Sequence, residues 1–130
     1  MAKTRQDLKI LIVDDDEKSL KLLEAKLNIL GFKRILKANN GDECMSLSQE
    51  ELPDLIFLDI VMPGLDGGDI AKKLSEIEKT KDIPVIFATV LITSKEIGSS
   101  GSEIEGKIFI AKPYDTEKIE QAIRVALGDM

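Results

Sequence analysis

The stretch LKILIVDDDEKSL, residues 8–20, places three adjacent aspartates directly after a run of apolar residues. The run at residues 8–13 is almost continuously apolar, which is typical of a parallel strand buried on both faces of a sheet. Asp14, Asp15 and Asp16 would repel one another at the end of such a strand unless a positive charge lay among them. The stretch therefore predicts a buried strand with a cation site at its carboxyl end.

Four similar runs, rich in Ile, Val, Leu and Phe, recur along the chain at residues 33–38, 54–59, 84–89 and 107–111. Segments with helical spacing of apolar residues lie between and after these runs. Because strand and helix alternate in this way, we expect an α/β fold with a five-stranded parallel sheet, doubly wound, and with helices on both faces.

The first helix has apolar residues at helical spacing, namely Leu20, Leu23, Leu27 and Leu30. We expect Asp16 to be its N-cap, since Ser19 follows at capping distance, and Gly31 to end it. A weaker helical period occurs at about residues 41–50 and a stronger one at residues 70–77. The last helix is predicted to begin at Asp115 or Thr116 and to end at Gly128.

Length and composition limit the classes of function. The 130 residues make one domain of ordinary size, and 43% hydrophobic with 32% charged residues is typical of a soluble globular protein. A net charge of −6 argues against direct binding to nucleic acid. The single cysteine and the short apolar run near the N-terminus indicate neither a disulfide framework nor a signal peptide or membrane span. We therefore expect a cytoplasmic protein.

Polar residues stand where the predicted strands end, namely Asp14, Asp15, Asp59, Thr89 and Lys112. In a doubly wound sheet the ligand site lies beyond the carboxyl ends of the strands. Carboxylates from two strands suit Mg²⁺, a hard cation that takes one or two carboxylates and leaves positions for water and phosphate oxygens. The pattern therefore predicts a Mg²⁺ site with positions open to phosphate oxygens.

Four motifs occur in an order and spacing that together are specific: VDDD at residues 13–16, DIVMPGLDG at 59–67, AT at 88–89 and AKPY at 111–114. On these motifs the chain resembles, over essentially its whole length, the receiver domain of two-component response regulators. The resemblance implies a flavodoxin-like fold with strand order 2-1-3-4-5. It also implies a signalling switch, rather than an enzyme, that accepts a phosphoryl group.

The resemblance assigns roles at the acidic end of the sheet. Asp59 would be the phosphoacceptor, and Mg²⁺ would be held by Asp14, Asp15, Asp59 and the backbone carbonyl of Val61. This assignment agrees with elementary chemistry, because a carboxylate attacks phosphorus poorly unless nearby positive charge neutralises the phosphoryl oxygens.

Further roles follow from the same resemblance. Thr89 would hydrogen-bond the phosphoryl group, and Lys112 would form an ion pair with it. A cis peptide bond between Lys112 and Pro113 would direct the ammonium into the site. Thr89 and Phe109 would together form the conformational switch. The positions two after the acceptor and two after the threonine, Val61 and Leu91, would face the hydrolytic water. Both side chains are apolar and cannot orient water, so we expect slow loss of the phosphoryl group.

One segment departs from the family pattern. Residues 91–106 contain Gly98, Gly101 and Gly106 among serines, and each glycine disfavours helix by up to about 1 kcal/mol relative to alanine. We therefore expect the fourth helix of the family to be short or irregular here.

Other classes of protein fit less well. Asp14, Asp16, Thr89 and Lys112 also fit a haloacid-dehalogenase-like phosphatase, but that class needs further acids after the lysine, where only helix-cap acids follow, and it leaves Asp59 without a role. A flavodoxin-like mononucleotide binder would need a phosphate-binding loop after the first strand, where acids would repel phosphate. An interaction module with an inactive site is contradicted by the intact set of polar residues.

The predicted partners are a sensor histidine kinase or phosphotransfer protein and, for ending the signal, a phosphatase or reverse transfer to the kinase. We expect a single receiver domain over residues 1–130 with no effector domain, either stand-alone or part of a longer protein. The domain is expected to be a monomer or a phosphorylation-dependent dimer. The cognate kinase and the output are not encoded in any recognisable motif.

Overall fold

A computed structural model describes residues 4–59, 67–89, 102–104, 107–111 and 115–128 of the chain. The strands within these residues are β1 (Lys9–Val13), β2 (Arg34–Ala38), β3 (Leu55–Asp59), β4 (Val85–Thr89), β5 (Ser102–Ile104) and β6 (Lys107–Ala111). The helices are α1 (Glu17–Ile29), α2 (Gly41–Glu51), α3 (Gly67–Glu76) and α4 (Thr116–Leu127).

The sheet has the strand order β2-β1-β3-β4-β6-β5. The five strands β1, β2, β3, β4 and β6 pair in parallel, so the predicted parallel sheet and its order are confirmed. The short strand β5 adds an antiparallel edge, with Ser102 opposite Phe109 and Ile104 opposite Lys107. It lies within the segment predicted to hold an irregular fourth helix, and residues 91–101 and 105–106 of that segment lie outside the described residues.

Alternate residues of the central strands pack on opposite faces of the sheet, as the period of a strand requires. Ile10 and Ile12 of β1 belong to an apolar cluster that includes residues of α1 and α4. Leu11 and Val13 belong to a second cluster that includes residues of α2 and α3. All four side chains are buried, which explains why the β1 sequence is apolar throughout.

Side-chain caps fix where the helices begin. The Asp16 carboxylate accepts hydrogen bonds from the Lys18 backbone N–H at 3.0 Å and from the Ser19 hydroxyl at 3.3 Å, which confirms Asp16 as the N-cap of α1. Asp115 is the N-cap of α4, where its carboxylate accepts from the Lys118 backbone N–H at 2.9 Å. Because its N-cap Asp16 follows the end of β1 by three residues, α1 begins at the carboxyl edge of the sheet. No helix in the described ranges is long and apolar enough to cross a membrane.

Candidate functional site

The strand register brings the predicted site residues at the ends of β1, β3 and β4 to one edge of the sheet. Val13 of β1 is paired with Leu58 of β3, so Asp14 follows directly after β1 at the level where β3 ends with Asp59. Asp59 is in turn paired with Ala88 of β4. The polar residues at these strand ends are therefore neighbours in space because parallel strands share one carboxyl edge.

Three carboxylates meet at this edge. One oxygen each from Asp14, Asp15 and Asp59 lies within 4.8 Å of the other two. Asp14 is 6% exposed and Asp59 is 9% exposed, whereas Asp15 is exposed to solvent. Like charges this close repel strongly where burial reduces screening by water, so the cluster favours binding of a cation.

Backbone hydrogen bonds hold Asp14 in place. Its N–H donates to the Ala38 carbonyl of β2 at 3.1 Å, and its Oδ1 accepts from the Asp16 N–H at 3.0 Å. The same Asp16 caps α1 through its own carboxylate. The turn from β1 into α1 therefore fixes Asp14 on one side while Asp16 serves the helix, which explains why only two of the three adjacent aspartates join the cluster.

The donor set fits a small, hard divalent cation. Carboxylate oxygens are the ligands that Mg²⁺ and Ca²⁺ prefer, and Mg²⁺ in particular uses few protein carboxylates and keeps water or phosphate oxygens in its remaining positions. Asp15 is exposed to solvent, so water or phosphate oxygens can reach the cluster at that residue. Asp14, Asp15 and Asp59 are therefore the residues of the described chain that would hold Mg²⁺.

The structure describes the other predicted site residues only in part. Thr89 ends β4 and Phe109 lies in β6, so both backbones are at the predicted strands, but their side chains are outside the described part. Val61, Leu91 and Lys112 lie outside the described residues altogether. The roles given to these five residues stay predictions.

Cys44 does not contribute to the site. Its side chain is fully buried in α2, with its Sγ 3.9 Å from the Ser48 hydroxyl. Burial raises the pKa of the Cys44 thiol to about 11. The thiol is therefore protonated and unreactive at neutral pH, because the thiolate is the nucleophilic form.

Comparisons with known proteins agree with this fold. The family model described as "Response regulator receiver domain" matches residues 10–124. A protein of Guillardia theta named "Probable transcriptional regulator ycf27" is 35% identical over 125 residues, which cover 92% of this chain and 45% of that protein. This chain thus spans about half the length of the curated relatives of that name.

Solved structures show the same architecture. The N-terminal domain of a response regulator receiver protein from Methanoculleus marisnigri is 32% identical, with a TM-score of 0.67, covering 94% of this chain and 98% of that one. The Vibrio cholerae chemotaxis protein CheY4 shares the fold with a TM-score of 0.76 at 21% identity, covering 92% and 98% of the two chains.

A doubly wound parallel sheet with clustered carboxylates at its carboxyl edge is consistent with a phosphorylation-dependent signalling switch. The chain belongs to the response regulator receiver family. Membership places it in two-component signalling, where receivers interact with histidine kinases or phosphotransfer proteins and are generally not catalytic enzymes.

Proposed function

We propose that this domain accepts a phosphoryl group on Asp59 from a sensor histidine kinase or a phosphotransfer protein. The observation that carries the proposal is the convergence of Asp14, Asp15 and Asp59, with carboxylate oxygens within 4.8 Å, at the end of the central strand β3. An Asp59 carboxylate at a strand end, beside a cation site and almost buried, suits attack on phosphorus better than a solvated surface aspartate does.

In the proposed transfer, one Oδ atom of Asp59 attacks the phosphorus of a phosphohistidine. The phosphorus–nitrogen bond breaks, its electron pair returns to the imidazole nitrogen, and an aspartyl phosphate forms on Asp59. When bound, Mg²⁺ supplies positive charge that offsets the negative charge of the phosphoryl oxygens. Asp14, Asp15 and the backbone carbonyl of Val61 would hold the ion with Asp59.

The remaining proposed roles belong to residues at neighbouring strand ends. The Thr89 hydroxyl donates a hydrogen bond to a phosphoryl oxygen, and the Lys112 ammonium forms an ion pair with another. These contacts exist only with the phosphoryl group in place, so they stabilise a second conformation in which Thr89 and Phe109 are rearranged. The modified domain then regulates a partner or an attached domain.

Acetyl phosphate tests the acceptor without the cognate kinase. With Mg²⁺ and acetyl phosphate, the wild-type chain should gain about 80 Da on Asp59, and Asp59→Asn should abolish the gain. Asp54→Asn is the matched control, since Asp54 directly precedes the same strand at its opposite end. Acid trapping, peptide mapping and mass spectrometry locate the adduct. An adduct on another residue, or an undiminished adduct in Asp59→Asn, would refute the assignment.

We also propose that the aspartyl phosphate lasts minutes or longer, because the apolar side chains of Val61 and Leu91 neither orient nor admit a hydrolytic water. A phosphatase or reverse transfer to the kinase then ends the signal. Replacing Val61 with Asn and Leu91 with Glu should shorten the half-life several-fold, because both new side chains can hold water. Loss of label from the trapped phosphoprotein measures it, and decay of the wild type within seconds would contradict the proposal.

The proposed phosphoryl donor indicates the cellular compartment. Histidine kinases use ATP, so we place the domain in the cytoplasm. We treat residues 1–130 as one receiver domain that is a monomer or a phosphorylation-dependent dimer, with no direct contact with nucleic acid or membrane. The net charge of −6 supports the absence of nucleic-acid binding by this domain.

A further inference from the structure

The first turn of α1 is joined directly to one of the residues that would hold Mg²⁺. Oδ1 of Asp14 accepts a hydrogen bond from the backbone N–H of Asp16 at 3.0 Å. Asp16 is also the N-cap of α1, where its carboxylate accepts from the Lys18 N–H at 3.0 Å and its carbonyl accepts from the Leu20 N–H at 3.1 Å. Asp16 therefore contacts the carboxylate cluster through its N–H and begins the helix through its oxygens.

The cap holds the backbone of Asp16 in one conformation. Its φ of −99° and ψ of 113° are extended, whereas the residues that follow are helical. An N-cap side chain favours this extended conformation because its oxygen then reaches an N–H group two or three residues further on. The same φ sets the direction of the Asp16 N–H relative to the helix. A change in the cap therefore changes the hydrogen bond that Asp14 accepts.

Two hydrogen bonds constrain different parts of Asp14. The bond from its N–H to the Ala38 carbonyl, at 3.1 Å, holds its main chain in the sheet. The bond from the Asp16 N–H acts on the carboxylate, which is the group that would bind the cation. Hydrogen bonds that orient a metal ligand in this way typically change metal affinity by about 10- to 100-fold. The orientation of the Asp14 carboxylate should thus depend on the start of α1.

We propose that Asp16 is a positioning residue for the cation site: its cap on α1 fixes the N–H that orients the Asp14 carboxylate, so that Mg²⁺ binding and the first turn of α1 stabilise each other. The inference rests on the proposed binding of Mg²⁺ by Asp14, Asp15 and Asp59. The coupling is reciprocal, because a cation that binds better when the cap is formed must also favour the capped helix.

Calorimetric titration of the whole chain with Mg²⁺ tests the role of the cap without any phosphoryl donor. Asp16→Asn, Asp16→Ser and Asp16→Ala all remove the charge of Asp16, but only Asp16→Ala also removes the side-chain oxygen that caps α1. The Kd for Mg²⁺ should be about 3- to 10-fold higher in Asp16→Ala than in Asp16→Asn, because the N–H is loosened rather than lost. Asp16→Ser should resemble Asp16→Asn. Equal Kd values in Asp16→Ala and Asp16→Asn would overturn the proposal.

Asp115, the N-cap of α4, provides the matched control for lost helix stability. Its carboxylate accepts from the Lys118 N–H at 2.9 Å, much as the carboxylate of Asp16 accepts from the Lys18 N–H. Asp115→Ala and Asp115→Asn should therefore bind Mg²⁺ with the same Kd. If these two variants differed as much as the corresponding Asp16 variants, the effect would belong to helix stability in general and the proposal would be wrong.

Hydrogen exchange of the wild-type chain measures the reverse effect without any substitution. Amides in the first turn of a helix exchange through local opening of the helix end. Saturating Mg²⁺ should slow exchange of the Leu20 N–H, which donates to the Asp16 carbonyl, by about the same 3- to 10-fold. The Ile119 N–H, which donates to the Asp115 carbonyl in α4, should change less.

Equal exchange of the Leu20 N–H with and without Mg²⁺ would also overturn the proposal. A wild-type chain that binds no Mg²⁺ would contradict the cation site itself, and with it the metal ligands of the proposed function. A wild-type chain that binds Mg²⁺, with equal Kd values in Asp16→Ala and Asp16→Asn, would contradict only the role of Asp16.

Discussion

The two ends of the parallel sheet carry charged side chains in different arrangements. At the amino end, opposite charges and dipoles are paired: the Asp54 carboxylate accepts from the Lys9 backbone N–H at 2.8 Å, and the Lys9 ammonium lies 3.2 Å from the Glu51 carboxylate. At the carboxyl end, three carboxylate oxygens of one sign lie within 4.8 Å of one another.

The amino end of these strands contributes to stability, whereas the carboxyl end of the same strands holds the candidate site. β1 runs from Lys9 to Val13, with Asp14 following, and β3 is preceded by Asp54 and ends with Asp59. Each strand therefore joins an end with a salt bridge and a capped N–H to an end where carboxylates cluster. The paired end contributes to folding without any ligand. The carboxylate cluster at the other end suits a cation, which is the pattern expected when a site departs from the rules that make a fold stable.

The largest expected effect is the response to Mg²⁺, because a bound ion would add its charge to the carboxylate cluster at the carboxyl end only. At 100 times its Kd, a ligand of the folded state adds about 2.7 kcal/mol to the free energy of unfolding, or roughly 10 °C in Tm for a domain of this size. Asp15→Ala should remove most of this gain and should stabilise the metal-free form. Thermal melts with and without Mg²⁺ measure both.

Asp54→Asn is the control for the metal response at the opposite end of the sheet. Its amide oxygen can still accept the Lys9 hydrogen bond, so the response to Mg²⁺ should equal that of the wild type. A full response in Asp15→Ala would show that Asp15 is not a ligand. Loss of the response in Asp54→Asn would show that the two ends are not independent.

A smaller effect is expected from breaking the paired end. Asp54→Ala removes a partly buried carboxylate that accepts from the Lys9 N–H, and hydrogen bonds to charged groups contribute about 1.5–3 kcal/mol. The free energy of unfolding in urea should fall by about that amount, with Asp54→Asn losing less. Stability that is unchanged in Asp54→Ala would mean that water replaces the carboxylate at no cost.

The sequence predicts the sheet and the acidic cluster because both depend on local signals. A continuously apolar run predicts a strand buried on both faces. Parallel strands then bring Asp14 and Asp59 to the carboxyl edge of the sheet, independently of the loops and helices that connect the strands. Asp16 could be predicted as a helix N-cap, unlike the proposed metal ligands Asp14 and Asp15, because capping also depends on residues only a few positions away.

Arg5 and β5 were not predictable from local signals. The Arg5–Glu120 pair joins residues 115 positions apart, and nothing in a single arginine near a terminus distinguishes a bridging side chain from a solvated one. Strand β5 has only three residues, Ser102–Ile104, and it lies in a glycine- and serine-containing segment in which composition argues against helix without indicating a strand partner. Both features exist only through tertiary contacts.

A further prediction concerns Leu52, at the amino end of the sheet where α2 terminates. Leu52 has φ 47° and ψ 63°, the left-handed conformation that glycine adopts with least strain, and its side chain is 49% exposed. Leu52→Gly should raise the free energy of unfolding by about 0.5–1 kcal/mol. Leu52→Ala keeps the strained conformation and should give no such gain. Urea unfolding of both variants measures this difference. A lower free energy of unfolding in Leu52→Gly would show that the leucine side chain stabilises the fold by more than the backbone strain destabilises it.

The smallest expected effect is a change in acid sensitivity at Glu120, where charges are again paired. The hydrogen bonds from the Arg5 and Arg124 guanidinium groups hold the pKa of the Glu120 carboxyl below its usual value. A carboxyl whose pKa is lower in the folded state stabilises the fold above its unfolded pKa, about 4.3, and this contribution is lost as pH falls through the folded pKa. Glu120→Gln should therefore lose stability at neutral pH and show a shallower decline in acid than the wild type.

Arg5→Met tests the same Glu120 contribution from the other partner. It keeps the aliphatic packing near Gly31 but removes the guanidinium, so Glu120→Gln should change the acid dependence less in the Arg5→Met background than in the wild type. Urea unfolding across the acid range, for the two single variants and the double variant, measures this coupling. Additive effects at every pH would show that Arg5 does not stabilise the ionised Glu120.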